Sequence, residues 1–200
     1  MKVIGLTGGI GAGKSTIAHE LLKYDNIEVI STDDVAKEQM KKGGISYEQV
    51  KAYFGDEILD DNGEIDRQKL SAIVFADSQK KEALNAITHP NVRKYVICMI
   101  DRLKQNKDMK AVFVETALLI EAGYRDFTDE VWYIYAPHEQ RMTRLMTSRG
   151  YTKEKALAII AGQKSDEEFR KYADYIIDNS DGADISNNID MALRERLKEH

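Results

Sequence analysis

The sequence predicts an α/β fold, a three-layer sandwich with helices on both faces of a five-stranded parallel sheet. Three observations predict it. Short, nearly continuous apolar runs recur, as strands buried on both faces require. Segments with helical apolar spacing lie between them, and strands alternating with helices give parallel pairing. The first run leads directly into Gly8-Gly9-Ile10-Gly11-Ala12-Gly13-Lys14-Ser15, which satisfies the pattern G-x-x-x-x-G-K-[ST] in a strand–loop–helix setting.

The predicted strands are Val3–Thr7, Glu28–Thr32, Ala111–Glu115, Val131–Tyr135 and Tyr175–Asp178. Ile17, Leu21 and Leu22 give the first helix an apolar face. Residues 33–110 are too many for a plain crossover, so this stretch is expected to hold an inserted helical unit. Within it, Ser46-Tyr47-Glu48-Gln49 reads as a capping box. Asp66 reads as the N-cap of a helix whose Leu70, Ile73 and Val74 share a face. The pattern from Ser78 to Asn106 is again helical, and Pro90 is expected to end one helix or open the next. A second gap, Pro137 to Ala173, is rich in arginine and lysine and should form two or three short helices. Ile185, Ile189, Leu193 and Leu197 recur every fourth residue and predict a closing amphipathic helix. The expected organisation is one domain with core segments 1–42, 109–136 and 173–200, an inserted helical region 43–108, and a helical lid 137–172.

Composition narrows the function classes. A hydrophobic content of 42% with 32% charged residues fits a packed globular chain rather than a disordered one. The net charge of -5 argues against a general nucleic-acid coat. No apolar run approaches the roughly 20 residues of a membrane span. The chain enters its first strand at Val3, which leaves no room for a leader. Cys98 is the sole cysteine, so an intramolecular disulfide and a Cys₄ zinc site are excluded. It lies in the apolar run Tyr95–Ile100 and is expected to be a buried structural thiol. A reducing cytoplasm fits these features.

In an open parallel sheet, ligands bind at the carboxyl ends of the strands. The residues just past each predicted strand are therefore the candidates for chemistry. After the first strand comes the glycine-rich loop, whose backbone N–H groups can converge on a phosphate without obstruction by Cβ atoms. The helix opening near Gly13 adds about half an elementary positive charge. Lys14 supplies a full charge to the β- and γ-phosphates, and Ser15 offers a hydroxyl to Mg²⁺. After the second strand come Asp33 and Asp34. Either could cap a helix, or accept a proton from an acceptor hydroxyl and meet Mg²⁺; pattern alone does not choose between them. The third strand ends in Glu115, like a Walker-B element with Glu in place of Asp. Arg141, Arg144 and Arg149 lie beyond the fourth strand. Singly, each reads as part of a solvated charged face; together they suggest a lid over ATP. The fifth strand ends at Asp178-Asn179. This convergence of a phosphate cradle, carboxylates and arginines suits phosphoryl transfer.

Two other motifs fail on inspection. Asp60-Asp61-Asn62-Gly63 resembles part of a calcium loop, but aligning Gly63 to the sixth position puts Ile58 first and Lys69 twelfth. A tight turn before the Asp66 cap is expected instead. The tetrad Asp60-x-x-Gly63 lacks an accompanying guanine motif, since Asn106-Lys107-Asp108-Met109 departs from Asn-Lys-x-Asp at its last position.

The ordered set of motifs resembles the dephospho-CoA kinase family of P-loop kinases over Lys2 to about Ser180. Ile4 to Ser15 looks like that family's first strand and phosphate loop. Val29-Ile30-Ser31-Thr32-Asp33 with Ala36 and Lys37 resembles its V-I-D-A-D-x-x-A-R element. Phe54-Gly55, Ile58-Leu59, Ile65-Asp66-Arg67, Leu70 and Val74-Phe75 resemble its inserted region. His89-Pro90 and Arg93 resemble H-P-x-x-R, Leu118-Leu119 and Glu121 resemble P-L-L-x-E, and Ala173 to Asn179 resembles its terminal strand. Departures are Ser31 for Asp, Lys37 for Arg, Glu115-Thr116-Ala117 for D-x-P, Ser148 at a commonly basic position, and Ile159 for Arg.

The resemblance implies ATP-dependent phosphorylation of the ribose 3′-hydroxyl of dephospho-CoA with Mg²⁺ as cofactor. No nucleic-acid or membrane partner is expected; a monomer is expected, with an oligomer left open. It selects Asp33 as the catalytic carboxylate, with Lys14 and Arg144. It implies a nucleotide site at Gly9, Gly11, Ala12, Gly13, Lys14, Ser15, Thr16, Arg144 and Asn179. It also implies an acceptor site at Asp33, His89, Arg93, Leu118 and Glu121, and metal contacts at Ser15 and Asp33. A nucleoside or nucleotide kinase, and a nucleotide-hydrolysing switch protein, are the alternatives that the motifs leave open.

Overall fold

A computed structural model describes residues 1–197; the last three residues of the expected core segment 173–200 lie outside it. Contacts gather into two compact units: residues 1–30 with the chain from 102 onward, and residues 31–101.

The first unit is built on the sheet. Its strands are β1 (Lys2–Thr7), β2 (Ile27–Ser31, whose last residue opens the second unit), β3 (Ala111–Glu115), β4 (Glu130–Tyr135) and β5 (Tyr175–Asp178), in the order β2-β3-β1-β4-β5. The sheet is parallel. Each predicted strand is present to within one residue at either end. Central strand β1 pairs Ile4 with Phe113 on one side and with Glu130 on the other.

Alternation along the strands divides the core. Ile4, Leu6, Phe113, Trp132, Ile134 and Ile177 pack with Ile17 and Leu21 of α1 (Lys14–Leu21) and with Ile189 and Ala192 of α9 (Ile185–Arg196). Phe113 and Trp132 meet edge to face, with ring centroids 5.0 Å apart. The opposite face carries Gly5 and Tyr133. Leu119 fills the space above Gly5, where a Cβ would strike its side chain. Tyr133 stacks on Phe169 of α8 (Asp166–Tyr172) at 5.0 Å. Between β4 and β5 run α6 (His138–Arg149), α7 (Lys153–Ala161) and α8, three helices where the second gap predicts two or three.

The second unit contains α2 (Thr32–Gln39), α3 (Ile45–Phe54), α4 (Arg67–Ala76) and most of α5 (Ser78–Leu103). Val50, Phe54, Ile58 and Leu70 form its buried cluster, with Ile73 and Val74 packed alongside. Asp66 caps α4 as expected, its carboxylate accepting from the N–H groups of Gln68 and Lys69 at 2.8 and 3.2 Å. The acidic segment before it is a turn: Asp60 Oδ1 accepts from the N–H groups of Asn62 and Glu64, both at 2.9 Å.

Three local expectations are corrected. Ser46 does not open a capping box. Helix α3 begins earlier, after Gly44, where any Cβ would strike the Gln39 carbonyl. Ser46 is buried inside the helix and bonds Gln39 and Asn91 instead. Pro90 does not divide α5, which runs unbroken over 26 residues. Proline removes one N–H and costs about 3 kcal/mol in a helix interior. The buried stripe Val92, Val96 and Ile100 after it favours continuing the helix. Cys98 is off that stripe and is exposed, not buried.

Candidate active site

The glycine-rich loop spans the C-terminal end of β1 and the start of α1. Gly13 is the left-handed N-cap of α1, at φ 89°, and a Cβ there would collide with the Asn179 side-chain amide. Only glycine meets both conditions without strain. The loop closes through Ala12 N–H to Gly9 O at 3.1 Å and Thr16 N–H to Gly13 O at 3.0 Å. Lys14 Nζ donates to Gly8 O at 2.9 Å. Ser15 Oγ lies 3.0 Å from Glu115 Oε1 at the end of β3 and donates to it. The phosphate-loop hydroxyl and the strand-terminal acid are thus one oxygen pair, as Mg²⁺ favours.

Helix α6 supplies two arginines to this loop. Arg144 donates to Asn179 O at 2.8 Å and to Asp181 Oδ1 at 2.7 Å, with longer contacts to Gly11 O and Ala12 O. Asn179 itself is buried, and its Nδ2 donates to Ala12 O at 2.7 Å. Arg141, which for a single arginine reads as part of a solvated face, is buried at 8% exposure. Its Nε donates to Ile10 O at 2.9 Å, and a Cβ at Gly9 would overlap its guanidinium. Burial lowers its pKa from the ordinary arginine value. Gln163, just after α7, completes the arrangement. Its Oε1 accepts from Ile10 N–H at 2.8 Å and from Arg141 Nη2 at 3.0 Å. Nothing in the local sequence marks Gln163, because its partners lie more than 20 residues away; a contact map is the signal that finds it. Arg141 and Gln163 also line a cavity of about 770 Å³, together with Tyr133, Tyr135, Leu157 and Asp166. Burial and a hydrogen bond to Asp166 push the Tyr133 phenol well above its usual pKa.

Leu118 is exposed while its neighbour Leu119 is buried, and Glu121 pairs with Lys164 at 3.2 Å. The remaining expected site residues belong to the second unit. Asp33 and Asp34 occupy the first turn of α2, which is capped by Ser31 Oγ rather than by either aspartate. Asp34 is committed to the surface: it pairs with Lys37 at 2.5 Å, and that hydrogen bond lowers its pKa. Asp33 is exposed and has no hydrogen-bond or ion-pair partner among the described residues. His89 and Arg93 stand four residues apart on α5, so they share a helix face, and both are half-buried.

Known proteins share both this sequence and this fold. A family model described as dephospho-CoA kinase matches residues 2–184. The dephospho-CoA kinase of Bacillus licheniformis is 41% identical over 89% of this chain and 88% of its own. That of Carboxydothermus hydrogenoformans is 36% identical over 99% and 95%. Among solved structures, TT1252 from Thermus thermophilus superposes with a TM-score of 0.83 at 30% identity, covering 99% of this chain and 98% of its own. Dephospho-CoA kinase from Campylobacter jejuni gives 0.73 at 28%, covering 98% and 96%. Shikimate kinase from Acinetobacter baumannii, at 17% identity and a TM-score of 0.51, shares the fold. A sheet ordered 2-3-1-4-5, a phosphate loop held by a basic helical segment, and a family match over nearly the whole chain agree: the chain is a kinase and belongs to the dephospho-CoA kinase family.

Proposed function

We propose that this protein transfers the γ-phosphoryl group of ATP to the ribose 3′-hydroxyl of dephospho-CoA, giving CoA, as a cytoplasmic monomer. The observation that carries the reading is the phosphate loop with Lys14 and Ser15, backed by Arg141 and Arg144, in a chain of this family. Loop N–H groups and the α1 terminus bind the donor phosphates, and Lys14 with Arg144 offsets charge on the transferring group. Asp33 accepts the proton of the acceptor hydroxyl; its uncommitted carboxylate, beside an Asp34 engaged with Lys37, supports that division of roles. Ser15 Oγ and Glu115 Oε1 are hard oxygen donors that fit Mg²⁺, with Asp33 as a further contact. When bound with ATP, that ion would offset phosphate charge and orient the phosphoryl group. Asn179 acts on the nucleotide through Ala12. Residues 43–108, with His89 and Arg93, take the acceptor together with Leu118 and Glu121, and residues 137–172 form the lid.

The test is ATP-dependent conversion of dephospho-CoA, compared with AMP, adenosine and water as acceptors. Turnover with dephospho-CoA at least a hundredfold above the others is expected. Equal or better turnover with AMP or adenosine would replace the proposal by a nucleotide or nucleoside kinase, and acceptor-independent hydrolysis by a switch protein. Asp33→Asn should retain ADP binding and lose about 10²–10⁴-fold in turnover; an unchanged rate would remove Asp33 from the base role.

A further inference from the structure

We infer that Gln163 is a positioning residue for the phosphate loop, locking the Ile10 peptide to the α6–α7 segment through Arg141. The loop's glycines make it pliable, and Ile10 is its one large apolar side chain. Every part of Ile10 is engaged by the helices between β4 and β5. Its side chain packs against the cluster of Leu145, Ala156 and Ile160. Its N–H donates to Gln163 Oε1 at 2.8 Å, and its carbonyl accepts from Arg141 Nε at 2.9 Å. Arg141 Nη2 then donates to the same Gln163 oxygen at 3.0 Å, closing a ring of three hydrogen bonds. One oxygen therefore holds both the loop N–H and the guanidinium. Gly9, next in the loop, leaves room for that guanidinium because it has no Cβ.

The ring has a consequence beyond stability. A loop that must order itself around phosphates loses conformational entropy on binding, and a loop already held loses less. Gln163 therefore sets nucleotide affinity without touching nucleotide. Two of the three bonds involve its carbonyl oxygen, one of them to a cation, and together they correspond to roughly a tenfold effect on affinity once solvent exchange is allowed for. The ring should act on ground-state and transition-state binding alike, so it should appear in KM for ATP and leave kcat nearly unchanged.

The inference rests on the loop's binding nucleotide, and the test separates the two ideas. Gln163→Leu keeps the side-chain size and removes the acceptor; Gln163→Glu keeps an acceptor oxygen and restores the bond to Arg141. In the nucleotide-free protein, exchange of the Ile10 amide is followed by NMR, with β1 and β4 amides as the fold control. Calorimetry with MgADP, which needs no acceptor substrate, gives Kd. In Gln163→Leu, Ile10 exchange should accelerate at least tenfold with the strand amides unmoved, and Kd for MgADP should rise roughly tenfold. Gln163→Glu should return both to within about threefold of the unaltered protein. Unaltered Ile10 exchange in Gln163→Leu would overturn the ring. Faster exchange with unchanged Kd would overturn its role in affinity, as would Gln163→Glu behaving like Gln163→Leu. Absence of MgADP binding in the unaltered protein would instead refute the nucleotide site, leaving the exchange result to judge the ring.

Discussion

Asn179→Ala isolates a single buried bond under the phosphate loop. Asn179 is 4% exposed, and its Nδ2 donates to Ala12 O at 2.7 Å. Arg144 reaches Asn179 through the main-chain oxygen, so truncating the side chain leaves that contact in place. The substitution leaves the Ala12 carbonyl only the longer contact from Arg144 Nη1, at 3.5 Å, and an under-satisfied buried acceptor costs about 1–3 kcal/mol. For a chain of this size each kcal/mol lowers Tm by about 2–4 °C, so Tm should fall by about 2–12 °C. Nucleotide affinity should weaken in the same variant, because the freed carbonyl belongs to the loop that holds phosphate. Thermal unfolding by circular dichroism, with and without MgADP, reads both effects. Asn179→Asp adds a sign test. Its carboxylate would face the Ala12 carbonyl, and burial would raise its pKa. A protonated carboxyl can donate where the amide did, so the deficit of this variant should shrink as pH falls. A Tm for Asn179→Ala within about 1 °C of the unaltered protein, with weakened ADP binding, would refute this reasoning and place Asn179 in direct contact with nucleotide.

Three further substitutions probe other parts of the molecule. Glu130 is buried and raised by that burial, but hydrogen bonds from Lys2, Arg196 and Trp132 outweigh it and leave the pKa below the ordinary carboxylate value. Its stabilisation is therefore present above the unfolded pKa and lost as pH falls through the lower folded value. Glu130→Gln should flatten the acid limb of a stability–pH curve and cost about 1–2 kcal/mol at pH 7, discounted because Lys2 is 42% exposed; an unchanged acid limb in urea melts would rule this out. Glu115→Gln should raise the Mg²⁺ concentration for half-maximal activity about tenfold while leaving Tm within a few degrees, and an unaltered Mg²⁺ titration would remove Glu115 from the metal site. Cys98 should react with one equivalent of a thiol reagent in the folded protein, and Cys98→Ser should shift stability by no more than about 0.5 kcal/mol; protection until unfolding would contradict its exposed position.

The five strands were legible in the sequence because burial on both faces demands unbroken apolar runs, and the closing helix because Ile185, Ile189 and Leu193 recur at its pitch. The loop from Gly8 to Ser15 declared itself because close phosphate approach restricts residue type at several consecutive positions. Local rules failed where packing overruled them. Ser46 satisfies the capping pattern, yet the bare Cα of Gly44 beside Gln39 decides where α3 starts. Cys98 sits in an apolar run, but only the stripe through Val92, Val96 and Ile100 turns inward. Arg141 looks like any surface arginine of a basic helix.

The sequence by itself determined the layers of this protein, its phosphate loop and the class of chemistry at the strand ends. Each is written in residues close together in the chain, and periodicity and residue type suffice to read them. Only the tertiary structure decided which side chains serve that loop. Ser15 meets Glu115 across 100 residues, Asn179 reaches Ala12 across 167, and Gln163 reaches Ile10 across 153. No pattern of local spacing encodes such pairs. They arise when parallel strands bring their carboxyl ends to one edge, and when burial leaves each polar group there in need of a partner.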